Sequence, residues 1–149
     1  MGKHSNFIGT LSRPVNDVLY VPSKPYLLYE ASLKEQVMYP DVICDEERLL
    51  EAVETTKLLN LFNQNPKLNE SDQQKLMLCR MIYHEPRFVL LDDCVRNIDT
   101  EYLLSIIKYL QKKQVGIIIA CSPTEGFRNR IRFDLEIVLK GNKHEIQLG

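Results

Sequence analysis

The sequence predicts an α/β domain with a central, mostly parallel sheet flanked by helices. Two short segments, Phe88–Leu91 and Val115–Cys121, are apolar without interruption. Such runs suit strands that are covered on both faces of a parallel sheet. The segments beside them carry apolar residues at helical spacing, so we expect helices to pack against the sheet. At 149 residues the chain is long enough for one domain with a substantial core.

Two carboxylates follow the first apolar strand. A helix expected over Leu76–Ile82 is apolar around most of its circumference and should be buried. Pro86 ends it, because proline restricts the preceding residue and cannot continue a helix. Asp92 and Asp93 then stand at the carboxyl end of the strand, where open α/β sheets place ligands. They are either a solvated strand end or a magnesium ligand followed by a residue that handles water, as in phosphate-transfer ATPases.

The elements before this strand are marked by capping residues. Val18–Val21 is a short strand ended by proline. Ser32 and Glu35 form a capping box that predicts a short helix. Asp45 starts a longer amphipathic helix that is expected to run to Leu61. The polar segment Asn60–Asn69 contains a proline and is expected to be a loop.

The elements after the strand complete the α/β pattern. Thr100–Gln114 is predicted as a helix, because its apolar residues lie on one face and lysines occupy its last turn. Phe133–Leu139 and His144–Leu148 are predicted as closing strands, joined by a turn at Gly141-Asn142.

Composition excludes several classes of protein. The formal net charge of -1 gives no electrostatic reason to expect nucleic acid or an anionic membrane as a partner. No apolar run approaches the ~20 residues that span a bilayer, and the segment MGKHSNF lacks the apolar core of a signal peptide. The cysteines are dispersed without a C-x-x-C pair, which favours reduced thiols over disulfides or zinc: Cys44, Cys79, Cys94 and Cys121.

Two stretches resemble the nucleotide-binding domain of ATP-binding cassette (ABC) transporters. Met81–Glu101, MIYHEPRFVLLDDCVRNIDTE, is similar to the Walker B region and D-loop. Val18–Asp41, VLYVPSKPYLLYEASLKEQVMYPD, is similar to the Q-loop region, most of all to that of the peroxisomal, fatty-acid-transporting subfamily D. The resemblance runs from about Val18 to Leu148 in the family's order.

The resemblance implies a P-loop NTPase-like cassette core with a small helical subdomain. Residues 1–149 would form a single partial nucleotide-binding domain, with 45–80 as its helical subdomain. The family hydrolyses ATP with Mg²⁺ to drive import of fatty acyl substrates, at the cytosolic face of the peroxisomal membrane. Its transmembrane domain is not found in this chain, so a membrane domain and a second cassette or half-transporter are the implied partners.

The resemblance also assigns roles to individual residues. Asp92 matches the magnesium-binding aspartate, and Asp93 stands where the family has its catalytic glutamate. Asp99 matches the D-loop aspartate, which packs at the interface between paired cassettes. Gly2-Lys3-His4-Ser5 is similar to the end of a P-loop, in which Lys3 and Ser5 would contact phosphate. The first P-loop glycine is missing, so this is either a chance match or the remnant of an incomplete or lost P-loop.

Positions that contact the terminal phosphate in the family are altered here. Ser23 replaces the Q-loop glutamine, and no histidine occurs in Ser122–Gly126, where the family has one. The segment Leu68–Lys75 occupies the place of the signature motif, in which Ser71 would bind phosphate, but Asn69–Ser71 depart from it. Ser71 with Gln74 instead forms a capping box that would close the helix end without a ligand.

These departures predict a divergent ABC transporter ATP-binding domain whose activity is weak or lost. Phosphoryl transfer is catalysed almost wholly by positioning and charge stabilisation, so several lost contacts should abolish it. The alternatives are a non-catalytic module that pairs with an intact cassette through the region around Asp99, or a gene fragment without a stable role.

Overall fold

The computed structural model describes residues 17–64, 66–93, 98–122, 130–140 and 143–148. In this part of the chain the elements are, in order, β1 (Val18–Val21), α1 (Leu33–Met38), α2 (Glu46–Thr55), α3 (Leu59–Gln64), α4 (Glu70–Tyr83), β2 (Phe88–Asp92), α5 (Thr100–Lys112), β3 (Gly116–Ala120), β4 (Leu135–Lys140) and β5 (Lys143–Leu148).

Three parallel strands form the main sheet, in the order β1-β2-β3, so β2 is the middle strand. Tyr20 lies opposite Leu90 on one side of it, and Asp92 lies opposite Ala120 on the other. The connections between these strands contain helices, as parallel pairing requires. The predicted α/β fold with a parallel sheet is confirmed. β4 and β5 form a separate antiparallel hairpin.

The core lies on one face of the main sheet. Val21, Val89 and Leu91 are fully buried there against side chains of α4 and α5. The prediction that both faces are covered is wrong for the described residues, because Ile118 is 59% exposed and Phe88 is 37% exposed on the opposite face. The reason is that an uninterrupted apolar run does not reveal which of its two faces has a neighbour.

Helix α4 is the central element of the core. Most of its residues from Gln74 to Tyr83 are buried, as the apolar sequence predicted, and α1 and α2 pack along it. The hydroxyl of Tyr83 accepts a hydrogen bond from the Asp45 backbone N–H at 3.0 Å, which ties the start of α2 to the end of α4. Asp45 and Ser32 are the N-caps of α2 and α1, so both capping predictions are confirmed.

The single helix predicted from Asp45 to Leu61 is wrong, because it is broken into α2 and α3. Lys57 has φ 54°, and its N–H donates to Glu54 O while the N–H of the buried Leu58 donates to Val53 O. This pair of bonds is a Schellman motif, which normally uses glycine at the left-handed position. Lysine at that position gave no sequence signal for the break, and α3 occupies part of the predicted loop.

Apart from the start of α4, which lies at Glu70 rather than Leu76, the other predicted element limits agree to within two residues. α5 ends at Lys112 rather than Gln114, β3 is Gly116–Ala120, and β4 begins at Leu135 rather than Phe133. Cys121 therefore lies just beyond its strand and is exposed, whereas Cys79 is fully buried. Burial raises the pKa of the Cys79 thiol to about 12. The turn predicted at Gly141-Asn142 lies outside the described residues.

The hairpin exposes one apolar face. Residues directly opposite each other across an antiparallel pair share a face, and the register places five exposed apolar side chains together: Leu135, Ile137, Leu139, Ile146 and Leu148. Across the described residues, we find no helix with the length and apolar character that crossing a bilayer demands.

Candidate functional site at the carboxyl edge of the sheet

Asp92 is the last residue of the middle strand, so its carboxylate lies at the carboxyl edge of the main sheet. In open α/β folds this edge is where ligands bind, because the loops that follow the strands gather there. The neighbour on β3 is Ala120, a small and exposed residue. Asp92 is half-buried, so a ligand at this edge has access to it.

Tyr20 contacts Asp92 from the other neighbouring strand. The phenol hydroxyl donates a hydrogen bond to Oδ2 of Asp92 at 2.6 Å. Because this bond and burial both favour the protonated phenol, the pKa of Tyr20 is raised above its ordinary value, with the bond to Asp92 as the main cause. Tyr20 is a residue that the sequence gave no reason to single out.

Asp93 turns the chain away from the sheet. Its φ of 46° lies in the left-handed region, which aspartate tolerates better than most residues because its side chain is short and polar. Its N–H donates to the carbonyl of Ala120 at 2.7 Å and so extends the bonding between β2 and β3 beyond the strand. The conformation fixes the direction in which the backbone leaves the sheet immediately after Asp92.

This edge fits a metal that arrives with phosphate rather than one held in a protein cage. Among the described residues no group of three or more histidine, cysteine, aspartate or glutamate side chains could hold a metal ion. Mg²⁺ needs no such group, since it usually binds through one or two carboxylates together with waters and substrate phosphates. Asp92 supplies a carboxylate of this kind, and Oδ1 remains for a ligand when Oδ2 accepts from Tyr20.

The N-terminus of α4 is closed by its own residues. Asn69 is the N-cap, and its side-chain oxygen accepts from the Asp72 N–H at 2.9 Å. The predicted capping box between Ser71 and Gln74 is wrong, because asparagine two residues earlier is an equally strong cap and the helix begins at Glu70. Glu70 and Asp72 lie in the first turn, so their charges already complement the positive end of the helix dipole.

Gln74 instead joins α4 to the segment after β1. It is fully buried, and its Nε2 donates to the Pro22 carbonyl at 3.2 Å. Its Oε1 is buried without a hydrogen-bond partner among the described residues. Ser23, the residue at the Q-loop glutamine position, is exposed next to this contact.

Arg80 provides a second anchor, between α4 and α1. Arg80 is 3% exposed, and its Nε donates to the Gln36 carbonyl at 2.5 Å. It also lies over the ring of Tyr26 at 4.9 Å and near that of Tyr39 at 6.0 Å. Gln36 in turn accepts from the Leu28 N–H at 2.8 Å. The contact could not be predicted from the sequence, because only the fold brings residues 36 and 80 together.

Asp99 is the N-cap of α5. Its Oδ1 accepts from the Tyr102 N–H at 3.0 Å, and the Tyr102 hydroxyl donates to the Thr56 carbonyl at 2.9 Å. Asp99 therefore fixes the start of α5, and Tyr102 fixes α5 against the end of α2. The carboxylate itself is exposed, so it is accessible to a partner.

Several predicted positions lie outside the described residues: Lys3, Ser5, Cys94 and most of Ser122–Gly126.

A cavity of about 400 Å³ lies at the opposite end of the strands from Asp92, where Phe88 and Gly116 begin β2 and β3. Because α/β sheets bind ligands at the carboxyl ends of their strands, the edge that carries Asp92 is the better candidate.

Comparison with known proteins identifies relatives by sequence, although no protein-family model matches the chain. It is 30% identical over 138 residues to ABC transporter D family member 1 of Dictyostelium discoideum, an alignment that covers 76% of this chain and 18% of that protein. It is 28% identical over 131 residues to human ATP-binding cassette sub-family D member 3, covering 76% of this chain and 19% of the relative. The chain spans less than a fifth of the length of these relatives.

Solved structures share the fold. An ATP-binding subunit of an ABC transporter superposes with a TM-score of 0.60 at 18% identity, covering 72% of this chain and 49% of the other. A bacterial Atm1-family ABC exporter with ATP bound gives a TM-score of 0.59 at 16% identity, covering 70% of this chain and 21% of the other. The relatives, the parallel sheet and the order of the matching stretches agree, and the chain belongs to the family of ABC transporter ATP-binding domains, with sequence similarity to the D family.

Proposed function

We propose that this chain is a divergent ATP-binding domain of a D-family-type transporter, in which the magnesium-binding carboxylate is retained and ATP hydrolysis is weak or lost. The observation that carries the proposal is the position of Asp92 at the carboxyl end of the middle parallel strand. Residues 1–149 are one partial domain in this proposal, and residues 45–80 are its helical subdomain. The ligand is ATP with Mg²⁺.

Asp92 and Asp93 divide the chemistry between them in this proposal. Mg²⁺ bound with ATP would neutralise charge on the phosphates, and Asp92 would hold it through a carboxylate oxygen. Asp93 would orient the attacking water, but aspartate is one methylene shorter than the glutamate of the family. A displacement of ~1 Å in a catalytic group can lower the rate on the order of 10²-fold.

The N-terminus of α4 supports the loss of phosphate binding. A free helix N-terminus attracts anions through its unpaired N–H groups and its dipole. Here Asn69 occupies one of those donors, and Glu70 adds a negative charge in the first turn. Ser71 would therefore meet phosphate only against electrostatic repulsion. Ser23 is also too short to replace the amide of a Q-loop glutamine.

The finer assignments follow from the D-family similarity. A transmembrane domain and a second cassette would complete the transporter. The transported substrates would be fatty acyl compounds, and the site of action would be the cytosolic face of the peroxisomal membrane. These assignments rest on the relatives rather than on any residue of the site.

A non-catalytic interaction module is the second candidate. It is favoured by Asp99, which is exposed while its backbone is fixed at the start of α5. A rigid, exposed D-loop aspartate can contact a partner without contributing to hydrolysis. In this alternative the chain pairs with an intact cassette and leaves the chemistry to it.

Phosphate release from ATP and Mg²⁺ tests the proposal. The chain is assayed alone and mixed with the separately expressed ATP-binding domain of Dictyostelium D family member 1, with Asp92→Asn and Asp93→Glu as variants. We expect the chain alone to release phosphate no faster than Asp92→Asn. We expect Asp93→Glu to restore no more than a small fraction of the partner's rate, since the other phosphate contacts stay altered.

Turnover by the chain alone that equals the partner's rate and disappears in Asp92→Asn would refute the loss of activity. For the second candidate, light scattering of the mixture is expected to show a complex that Asp99→Ala weakens. A complex that is unaffected by Asp99→Ala would show that pairing uses another surface.

A further inference from the structure

Tyr20 and Asp92 lie on the face of the main sheet that is opposite the core. Side chains alternate along a strand, so Val21 on β1 and Leu91 on β2 enter the core while Tyr20 and Asp92 project to the other side. Tyr20 is paired in register with Leu90, two residues before Asp92. The two side chains are therefore diagonal neighbours on adjacent strands.

A diagonal neighbour is within reach of an aromatic side chain. The ~7–8 Å that separates such positions can be spanned by a tyrosine that leans along its strand, whereas shorter side chains cannot cross it. The hydroxyl of Tyr20 reaches Oδ2 of Asp92 at 2.6 Å. The other side chain of β1 on this face is Val18, which has no polar atom, so Tyr20 is the residue of this strand that can orient Asp92.

We propose that Tyr20 is a positioning residue for Asp92, whose hydroxyl holds the carboxylate by Oδ2 so that Oδ1 serves a divalent cation bound with phosphate. The inference rests on the proposed function and adds to it a residue that acts through Asp92. Tyr20 does not touch the metal or the nucleotide. Its role is to restrict the rotation of the Asp92 side chain at the edge of the sheet.

Hydrogen-bond chemistry favours support of the metal over competition with it. A neutral phenol donates one proton to a carboxylate that has about four acceptor positions, so the negative charge and most of the acceptor capacity remain. Carboxylates that bind metals are commonly held by such second contacts, and losing one typically lowers metal affinity 10–100-fold. A tyrosine that blocked the site would give the opposite result when its hydroxyl is removed.

Line broadening by Mn²⁺ in the amide spectrum of the full chain tests the inference. Mn²⁺ alone is the probe, and the amides of Asp92, Asp93 and Ala120 report on it. The variants are Tyr20→Phe and Asp92→Asn. The matched control is Tyr109→Phe, which removes a phenol hydroxyl that donates to Glu51 at 2.9 Å, on a helix rather than at this edge. Retained amide dispersion establishes that each variant is folded.

We expect Tyr20→Phe to need at least about tenfold more Mn²⁺ than the unmodified chain for equal broadening of the three amides. Tyr109→Phe should match the unmodified chain, and Asp92→Asn should abolish the local broadening. Unchanged or tighter Mn²⁺ binding in Tyr20→Phe, with loss in Asp92→Asn, overturns the positioning role and leaves the proposed function standing. Broadening that is absent from these amides, or that persists in Asp92→Asn, overturns the metal role of Asp92 and the inference with it.

Discussion

The two faces of the main sheet differ in how completely they are packed. On the core face, Val89 and Leu91 of the middle strand are fully buried beneath α4 and α5. On the opposite face, Ile118 and Phe88 are exposed, and Tyr20 reaches Asp92. Side chains on one face of the middle strand therefore stabilise the domain, while Asp92 on the other face belongs to the candidate site.

In the proposed function the scaffold persists while the contacts to the terminal phosphate change, and the difference between the two faces accounts for this combination. Substitutions on the core face act on the free energy of unfolding, because buried apolar volume dominates it. Substitutions at Ser23, Glu70 or Ser71 affect exposed or half-buried positions, where changes of residue alter stability little. The fold is therefore insensitive to these three positions, whereas Asn69 contributes to stability as the N-cap of α4.

The largest expected effect compares the two faces directly. Leu91→Ala removes a fully buried side chain and should lower the free energy of unfolding by about 2–5 kcal/mol. Ile118→Ala is on β3, on the face of the sheet opposite the core. It should lower the free energy of unfolding by less than about 1 kcal/mol, since most of the Ile118 side chain is already in water. Urea unfolding followed by circular dichroism measures both. Equal losses of unfolding free energy in the two variants would show that the face carrying Ile118 is covered in solution.

The next effect concerns the anchor between α4 and α1. Arg80→Met leaves the Gln36 carbonyl without its buried donor. In the same experiment it should lower the free energy of unfolding by about 1–3 kcal/mol. Arg48→Met is the control, because the Arg48 side chain is 49% exposed and pairs with Asp45 and Glu85 at the surface. Its cost should stay below about 1 kcal/mol. An Arg80→Met variant as stable as Arg48→Met would contradict the anchoring role.

The smallest effect is a pH dependence at the surface contact between α2 and α5. Hydrogen bonds from Lys113 and then Tyr109 lower the pKa of Glu51 below its ordinary value. A lowered carboxyl pKa contributes stability that is fully present above the ordinary pKa and disappears as the pH falls through the folded-state pKa. Because both side chains of the ion pair are more than 40% exposed, the contribution should stay below about 1 kcal/mol.

Thermal unfolding of the unmodified chain and of Glu51→Gln measures this contribution. The unmodified chain should be slightly more stable at pH 7, and the difference should shrink as the pH is lowered through the acidic range. A difference that grows on acidification would contradict the assignment, since it would require a raised pKa.

The main features of the fold were visible in the sequence because they depend on local signals. Pro86, the caps Ser32 and Asp45, and the apolar strand before Asp92 each act through neighbouring residues. The break after α2 was not visible, because the left-handed residue is Lys57 rather than glycine. The start of α4 was misplaced because Asn69 and Ser71 are competing caps of similar strength.

The candidate site was predictable only in part, because contacts across the sheet require the strand register. The position of Asp92 at the end of a strand was predicted from the apolar run that precedes it. Its partner Tyr20 is 72 residues away in sequence, and only the pairing of β1 with β2 makes them neighbours. The hydrogen bonds of Gln74 and Arg80 could not be predicted for the same reason, since both side chains donate to backbone carbonyls between β1 and α2.

Titration of the chain with a fluorescent ATP analogue and Mg²⁺ tests the central claim most directly. The claim is that a scaffold of the ABC type retains its magnesium ligand while its contacts to the terminal phosphate are weakened. It predicts no saturation in the micromolar range, about 1–100 μM. Saturable micromolar binding that requires Mg²⁺ and disappears in Asp92→Asn would contradict it, because the phosphate contacts would then be intact.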